Sequence, residues 1–230
     1  MELHRHLPKF ADGVHFITAR TFRGARLFSD DRCARYFCET LEAERERLGY
    51  HILAFVVMPN HIHLLLWWSD HWIAQYPWIA DGHASGYPSL APRPELLTIS
   101  KVMWAVKGKS ARRILDDLKA RQSHESTGID GVAEGSALGH PINTLMAARA
   151  GADEPHHRNW KYKAWQQGAG YDFNVLSRDK ALQKAQYIHQ NPVRAGLARR
   201  APDYVWSSAG DYAGTPTTHS VRVSPLSLVF

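Results

Sequence analysis

Two histidines, His61 and His63, flank Ile62, directly after Met58-Pro59-Asn60 and before Leu64-Leu65. On a strand, side chains alternate between faces, so both imidazoles project to one side and Ile62 to the other. Two neutral imidazoles so placed form a bidentate clamp for a divalent metal, lacking one more ligand from elsewhere in the chain. Spacing alone does not define a site. His4-Arg5-His6 has the same spacing with a charged residue between, and an arbitrary pair of this kind is ordinarily just two histidines on a half-exposed strand. The second pair is set apart by its context, a strand entrance that follows an apolar strand, where rigid backbone holds side chains in place.

The elements that must position this pair are legible from pattern. Val14 to Phe22 is rich in β-branched and aromatic residues and reads as a first strand. Ser29-Asp30-Asp31 opens a helix with a capping side chain and acids at the positive end of its dipole. Cys33, Phe37, Leu41 and Leu48, with Tyr36 adjacent, form the apolar face of that helix, and Gly49 stops it. His51 to Met58 is almost wholly apolar and reads as a central strand, followed by a tight Pro59-Asn60 turn into a third strand, His61 to Trp68. Ile99, Val102, Met103, Val106, Ser110 and Ile114 then trace one helical stripe. A further strand or hairpin is expected between Trp160 and Leu176. The last long helix is expected from Ser177 to Gln190, with Leu182, Ala185 and Ile188/His189 inward and Pro192 and Gly196 ending it. Strand, helix, strand, strand, helix, strand, helix implies an α+β fold: a ferredoxin-like antiparallel sheet with helices packed on one face.

Composition narrows the setting. The 230 residues suit a single domain, 1–230, with surface insertions at about 69–97 and 122–159, where periodicity gives way to Gly, Pro, Ala, Ser and His. The histidines scattered through them (His71, His83, His124, His140, His156 and His157) carry no assignment. The hydrophobic fraction is 44% and the charged fraction 22%, as in ordinary globular proteins. Cys33 and Cys38 cannot build a disulfide framework or a four-thiolate zinc site. No signal-peptide pattern or membrane-length apolar run is seen, so a cytoplasmic protein with no membrane partner is expected. A formal charge of +6 favours a polyanionic partner. No Gly-x-Ser-x-Gly elbow or phosphate loop supports a hydrolase or NTPase.

The octet Met58 to Leu65 resembles the His-hydrophobe-His (HUH) signature of single-tyrosine transposases, more closely that of the REP-associated tyrosine transposases. A second block agrees: Tyr187-Ile188-His189-Gln190-Asn191-Pro192-Val193-Arg194-Ala195-Gly196-Leu197 is similar to the catalytic-helix segment of that family. His15-Phe16-Ile17-Thr18, Trp165-Gln166-Gln167-Gly168, Trp206-Ser207-Ser208 and Asp211-Tyr212 also match, so the likeness spans roughly 13–68 and 98–212. The resemblance implies the HUH endonuclease fold and cleavage and rejoining of single-stranded DNA through a 5′-phosphotyrosine. It implies Tyr187 as nucleophile and His61, His63 and Asn191 as ligands of Mg²⁺ or Mn²⁺, with manganese the better match for imidazoles. Hairpin or REP-type DNA is the implied partner, bound by a monomer or homodimer located with the nucleoid.

The residues are consistent with those roles. Lys180, Lys184, Tyr187 and Asn191 recur at spacings of four, three and four, one stripe of the last helix. A phenol, titrating near about 10, is a poor nucleophile until a cation or metal favours its phenolate. Bland roles exist: tyrosines usually lie at core edges, and Asn191 before Pro192 suits a helix end. Tyr171 is the competing nucleophile. DNA contacts are expected from Lys107, Lys109, Arg112 and Arg113 on the 98–121 helix, from Lys184 and Arg194, and from Arg199 and Arg200, each with a solvated surface role as its alternative. Trp67 and Trp68 are candidate stacking platforms or core residues. Only one helical tyrosine fits, which argues against two-tyrosine relatives. Two rivals remain: a catalytically inactive, domesticated DNA hairpin-binding protein, and a phosphodiesterase using metal and water with Tyr187 dispensable.

Overall fold

The structure is a computed structural model and describes residues 13–69, 97–127 and 163–230. Both expected insertions fall largely outside them. The described elements are Gly13–Arg20 (β1), Asp31–Leu48 (α1), His51–Met58 (β2), His61–Trp68 (β3), Ile99–Thr127 (α2), Tyr171–Val175 (β4), Arg178–Arg194 (α3) and Ala209–Ala213 (α4), with short 3₁₀ turns at Phe22–Gly24, Leu27–Ser29, Ala201–Asp203 and Leu226–Leu228. Thus α2 runs on past residue 122, where an insertion was expected to begin. The strands form one antiparallel sheet in the order β2-β3-β1-β4, and each α-helix crossover (α1, α2) joins strands separated by one neighbour. This is the split β-α-β arrangement expected for a ferredoxin-like α+β fold.

Helices cover both faces of the sheet, not one. On one side Ile17, Phe55, Val57, Ile62, Leu64 and Leu66 pack against Cys33, Phe37 and Leu41 of α1 and Val102, Met103, Val106, Ile114 and Leu118 of α2. On the other, Phe16, Ala54, Val56, Leu65, Trp67 and Val175 pack under Ala181, Ala185 and Ile188 of α3. The one-face expectation fails because each strand presents apolar residues to both sides, and α3 supplies the second cover. Trp67 and Trp68 are both buried, one in each layer, so neither offers a surface for stacking.

Other local departures have equally local causes. Leu182 is 46% exposed; Ala181, not Leu182, turns inward with Ala185 and Ile188. Pro192 does not end α3 but is buried in its last turn. The end comes at Gly196 (φ 68), where the Gly196 amide donates to Val193 O and the Leu197 amide to Pro192 O. This pair of bonds satisfies the last carbonyls of the helix and needs a left-handed residue at Gly196. Gly170 (φ 99) is needed for a different reason: a Cβ there would stand 2.3 Å from Thr18 O, so only glycine lets the start of β4 approach β1.

β2 lies at the edge of the sheet, not its centre, yet every one of its residues is buried. The 204–224 segment closes that edge. The Val57 amide donates to Trp206 O (2.8 Å), the Ser208 amide to Phe55 O (3.1 Å), the Ser224 amide to Ile52 O (2.8 Å) and the Tyr212 hydroxyl to Leu53 O (2.7 Å). The Phe55 amide donates to Ser208 Oγ (2.9 Å). An apolar run therefore reads as central whenever chain, rather than a strand, covers its free edge. Ser208→Ala leaves the buried Phe55 amide without its acceptor and should lower stability by about 1–3 kcal/mol, seen as a lower Tm in thermal unfolding.

Candidate active site

Alternation along β3 places His61 and His63 on the face covered by α3, while Ile62 is fully buried on the opposite side. The antiparallel register sets Thr18 opposite His63 and Arg20 opposite His61. The two imidazole centroids are 4.9 Å apart. From above, α3 brings Tyr187 against this pair: its ring lies 5.3 Å from the His63 ring, edge to face, and 5.9 Å from Phe16. Tyr187 is 38% exposed, because Ile188 beside it takes the fully buried position. A phenol distant by more than one hundred residues in sequence and the histidine pair thus share one cluster.

Each imidazole is fixed through Nδ1. His61 Nδ1 donates to Asn60 Oδ1 (2.8 Å), and His63 Nδ1 shares a 2.7 Å hydrogen bond with Thr18 Oγ1. Such bonds set ring orientation and, at His61, the tautomer. Neither Nε2 has a hydrogen-bond partner among the described residues. Burial holds His61 below the ordinary histidine range, helped by Arg20, and pushes His63 down to about 3, with His61, Arg20 and Lys184 adding to the effect. Both rings are therefore neutral at pH 7, and His61, donating through Nδ1, keeps its lone pair on Nε2.

Asn191 stands one helical turn after Tyr187, and its amide nitrogen donates to Tyr187 O (3.0 Å), leaving the amide oxygen as the free end. Two imidazole nitrogens and an amide oxygen are donors suited to a borderline divalent cation such as Mn²⁺ more than to Mg²⁺. Among the described residues no group of three or more His, Cys, Asp and Glu side chains is placed to hold a metal. Lys184 lies over the Phe16 ring (4.3 Å), its charge disfavoured by burial and by Lys180, and the Arg194 guanidinium lies 5.5 Å from the Tyr187 ring centre. Gln183, Lys184, Gln186, Tyr187 and Arg194 line an open groove of about 440 Å³.

The remaining cations expected at a DNA surface sit elsewhere. Lys107 is buried, donating to Gln166 O (2.6 Å) and Gly168 O (2.5 Å), and burial lowers its pKa. It braces the Trp165–Gly168 stretch from within and presents no charge to a partner. Lys109 pairs with Glu44, and Arg113 pairs with Glu39 and covers the Tyr36 ring, so both join α2 to α1. Arg112 is exposed on the same helix, across the sheet from Tyr187. Arg200 pairs with Asp203. Tyr171 is 58% exposed on β4, opposite Thr18, and so lies on the sheet face of His63 with β1 between them. Thr18, Asn60 and Arg20 went unassigned in the sequence, although the alternation Phe16, Thr18, Arg20 already placed both β1 residues on one face.

No protein-family model and no curated protein matches the chain. Among solved structures, it is similar to a REP-associated tyrosine transposase bound to a REP hairpin, at 15% identity over 97% of this chain and 94% of that one, with a TM-score of 0.47. It is also similar to a "putative transposase from deinococcus radiodurans", at 17% identity over 83% of this chain and 97% of that one, with a TM-score of 0.39. Among the described residues no helix is long and apolar enough to cross a membrane.

The buried histidines give acid sensitivity a definite sign. His63 (about 3) and His189 (about 4, lowered by burial) take up protons far more readily once unfolded, near 6.5. The unfolded state binds more protons between those values, so stability is complete above about 6.5 and declines as pH falls. The loss should approach about 1.4 kcal/mol per pH unit per histidine and finish near each folded value. Urea unfolding across pH 4–7 checks this, and His189→Gln should flatten the dependence.

Proposed function

We propose that the chain is a metal-dependent single-stranded DNA endonuclease and transposase that cuts and rejoins DNA through a 5′-phosphotyrosine on Tyr187. The observation that carries the reading is the meeting of the Tyr187 ring with His63, at 5.3 Å, on a face where both imidazoles are neutral and fixed through Nδ1.

His61, His63 and Asn191 would hold the metal; bound there, a divalent cation would neutralise charge developing on the scissile phosphate. Tyr187 Oη attacks phosphorus in line and loses its proton to solvent. The bond from phosphorus to the 3′ oxygen breaks, and that oxygen takes up a proton to leave a free 3′-hydroxyl. The phosphodiester energy is kept in the tyrosyl phosphate, so a second 3′-hydroxyl can reverse the step, forming a new strand and restoring the phenol. Lys184 and Arg194 flank the phenol and supply positive charge to the phosphates on either side. Thr18 and Asn60 act as positioning residues, holding the two rings with Nε2 directed away from their bonds.

The test is incubation of labelled single-stranded hairpin DNA with the protein and Mn²⁺, followed by denaturing electrophoresis. An SDS-resistant adduct is expected from the unaltered chain, none from Tyr187→Phe, and a loss of at least about a hundredfold in His61→Ala and His63→Ala, the scale on which metal and electrostatic groups act. An adduct that persists in Tyr187→Phe moves the nucleophile elsewhere, with Tyr171→Phe as the next variant. Hairpin binding with no adduct from any variant favours the inactive DNA-binding protein.

A further inference from the structure

Many cations among the described residues are tied to acids. Arg45, Arg47, Lys109, Arg113, Arg121, Arg200 and Arg222 are all paired with carboxylates. Among the described residues, Arg20 at the end of β1 and Arg23 and Arg26 in the link to α1 are exposed and have no ion pair. In a protein that spends so many guanidiniums on internal pairs, such a run of free ones is available to an external anion.

Their location is fixed by the histidine turn. The Thr21 amide and hydroxyl both donate to Asn60 O (3.0 and 2.9 Å), and the Phe28 amide donates to Pro59 O (2.9 Å). The link therefore wraps the Pro59-Asn60 turn from which His61 leaves, starting at Arg20, the register partner of His61. On its other side the Gln166 amide donates to Arg20 O (2.9 Å), so the stretch braced by Lys107 backs the same segment. The backbone is also held in an uncommon state. Arg23 is the non-glycine residue with positive φ among the described residues (φ 52, ψ 25), a conformation a side chain of this size rarely takes unless surroundings impose it. Its guanidinium covers one side of the Phe22 ring (5.4 Å), and Lys163 Nζ lies 5.5 Å from the same ring centre.

We infer that Arg20, Arg23 and Arg26 form a phosphate-binding arm that tracks the backbone of a single DNA strand as it leaves the Tyr187–histidine cluster. This rests on the function proposed above and places the strand along the β1–α1 link, rather than along α2 where paired lysines and arginines first suggested it. A polyanion running there would meet Arg20 beside the cutting position and the other two guanidiniums beyond it.

The test measures binding alone, in a Tyr187→Phe background, by fluorescence anisotropy of a labelled DNA hairpin with a single-stranded flank over a salt titration. Arg20→Gln/Arg23→Gln/Arg26→Gln should reduce the slope of log K against log[salt] by about 2, the release expected for three single-strand phosphate contacts. Arg35→Gln/Arg112→Gln, on the helices across the sheet, should leave the slope unchanged. Glycine accepts the backbone of residue 23 without strain, so Arg23→Gly removes a guanidinium while sparing the loop, and should weaken binding as Arg23→Gln does. An unchanged slope in the triple variant, or a loss confined to Arg35→Gln/Arg112→Gln, overturns the arm while leaving the proposed cleavage reaction standing. No complex between the parent protein and DNA at any salt concentration overturns that reading and the arm together.

Discussion

Ile188, sealed between α3 and the sheet, governs the arrangement on which the site depends. Once that side chain and those of Ala181 and Ala185 are pressed onto the strands, the rotation of the helix is set and the preceding residue must emerge at its flank. The flank overlooks β3, where alternation forces His61 and His63 to the same side because Ile62 belongs to the opposite layer. Two burial constraints, one from each layer, thus converge on a phenol and an imidazole pair without any direct bond between them.

The polar shell around the pair follows from the same geometry. Thr18 reaches His63 because β1 is paired with β3 in a register that sets them opposite, and Asn60 reaches His61 because the turn immediately precedes it. Neither ring needs a carboxylate partner, and burial keeps both neutral. The cost is a face rich in cations and aromatic rings, where Arg20, Lys184 and Arg194 have no acid paired with them among the described residues. Such a face is favourable to an anion and would be unfavourable left to itself.

Much of this was legible in the sequence wherever period and local stop signals agree. The first four elements follow from strand alternation, the Asp30 cap and Gly49, and the common face of His61 and His63 needs only the period of two. The meeting of Tyr187 with them was expected from motif resemblance; no local pattern encodes a contact across that separation. What misled was context supplied by distant chain. β2 reads as central because 204–224 covers its edge, and Leu182 reads as inward because apolarity alone cannot distinguish a helix seam from its margin. Lys107 reads as a surface charge because nothing in its neighbours reveals two carbonyls waiting for it. The paired state of Lys109 and Arg113 likewise depends on α1, more than sixty residues earlier.

The seam along β2 bears on how copies of this protein can meet. Open sheet borders invite a neighbour to add a strand, and the stretch from Trp206 to Ser224 already occupies that border with main-chain and hydroxyl bonds of its own. A second molecule seeking to extend the sheet on this side would first have to peel away a native ribbon. The fold thus carries its own guard against edge-to-edge joining there.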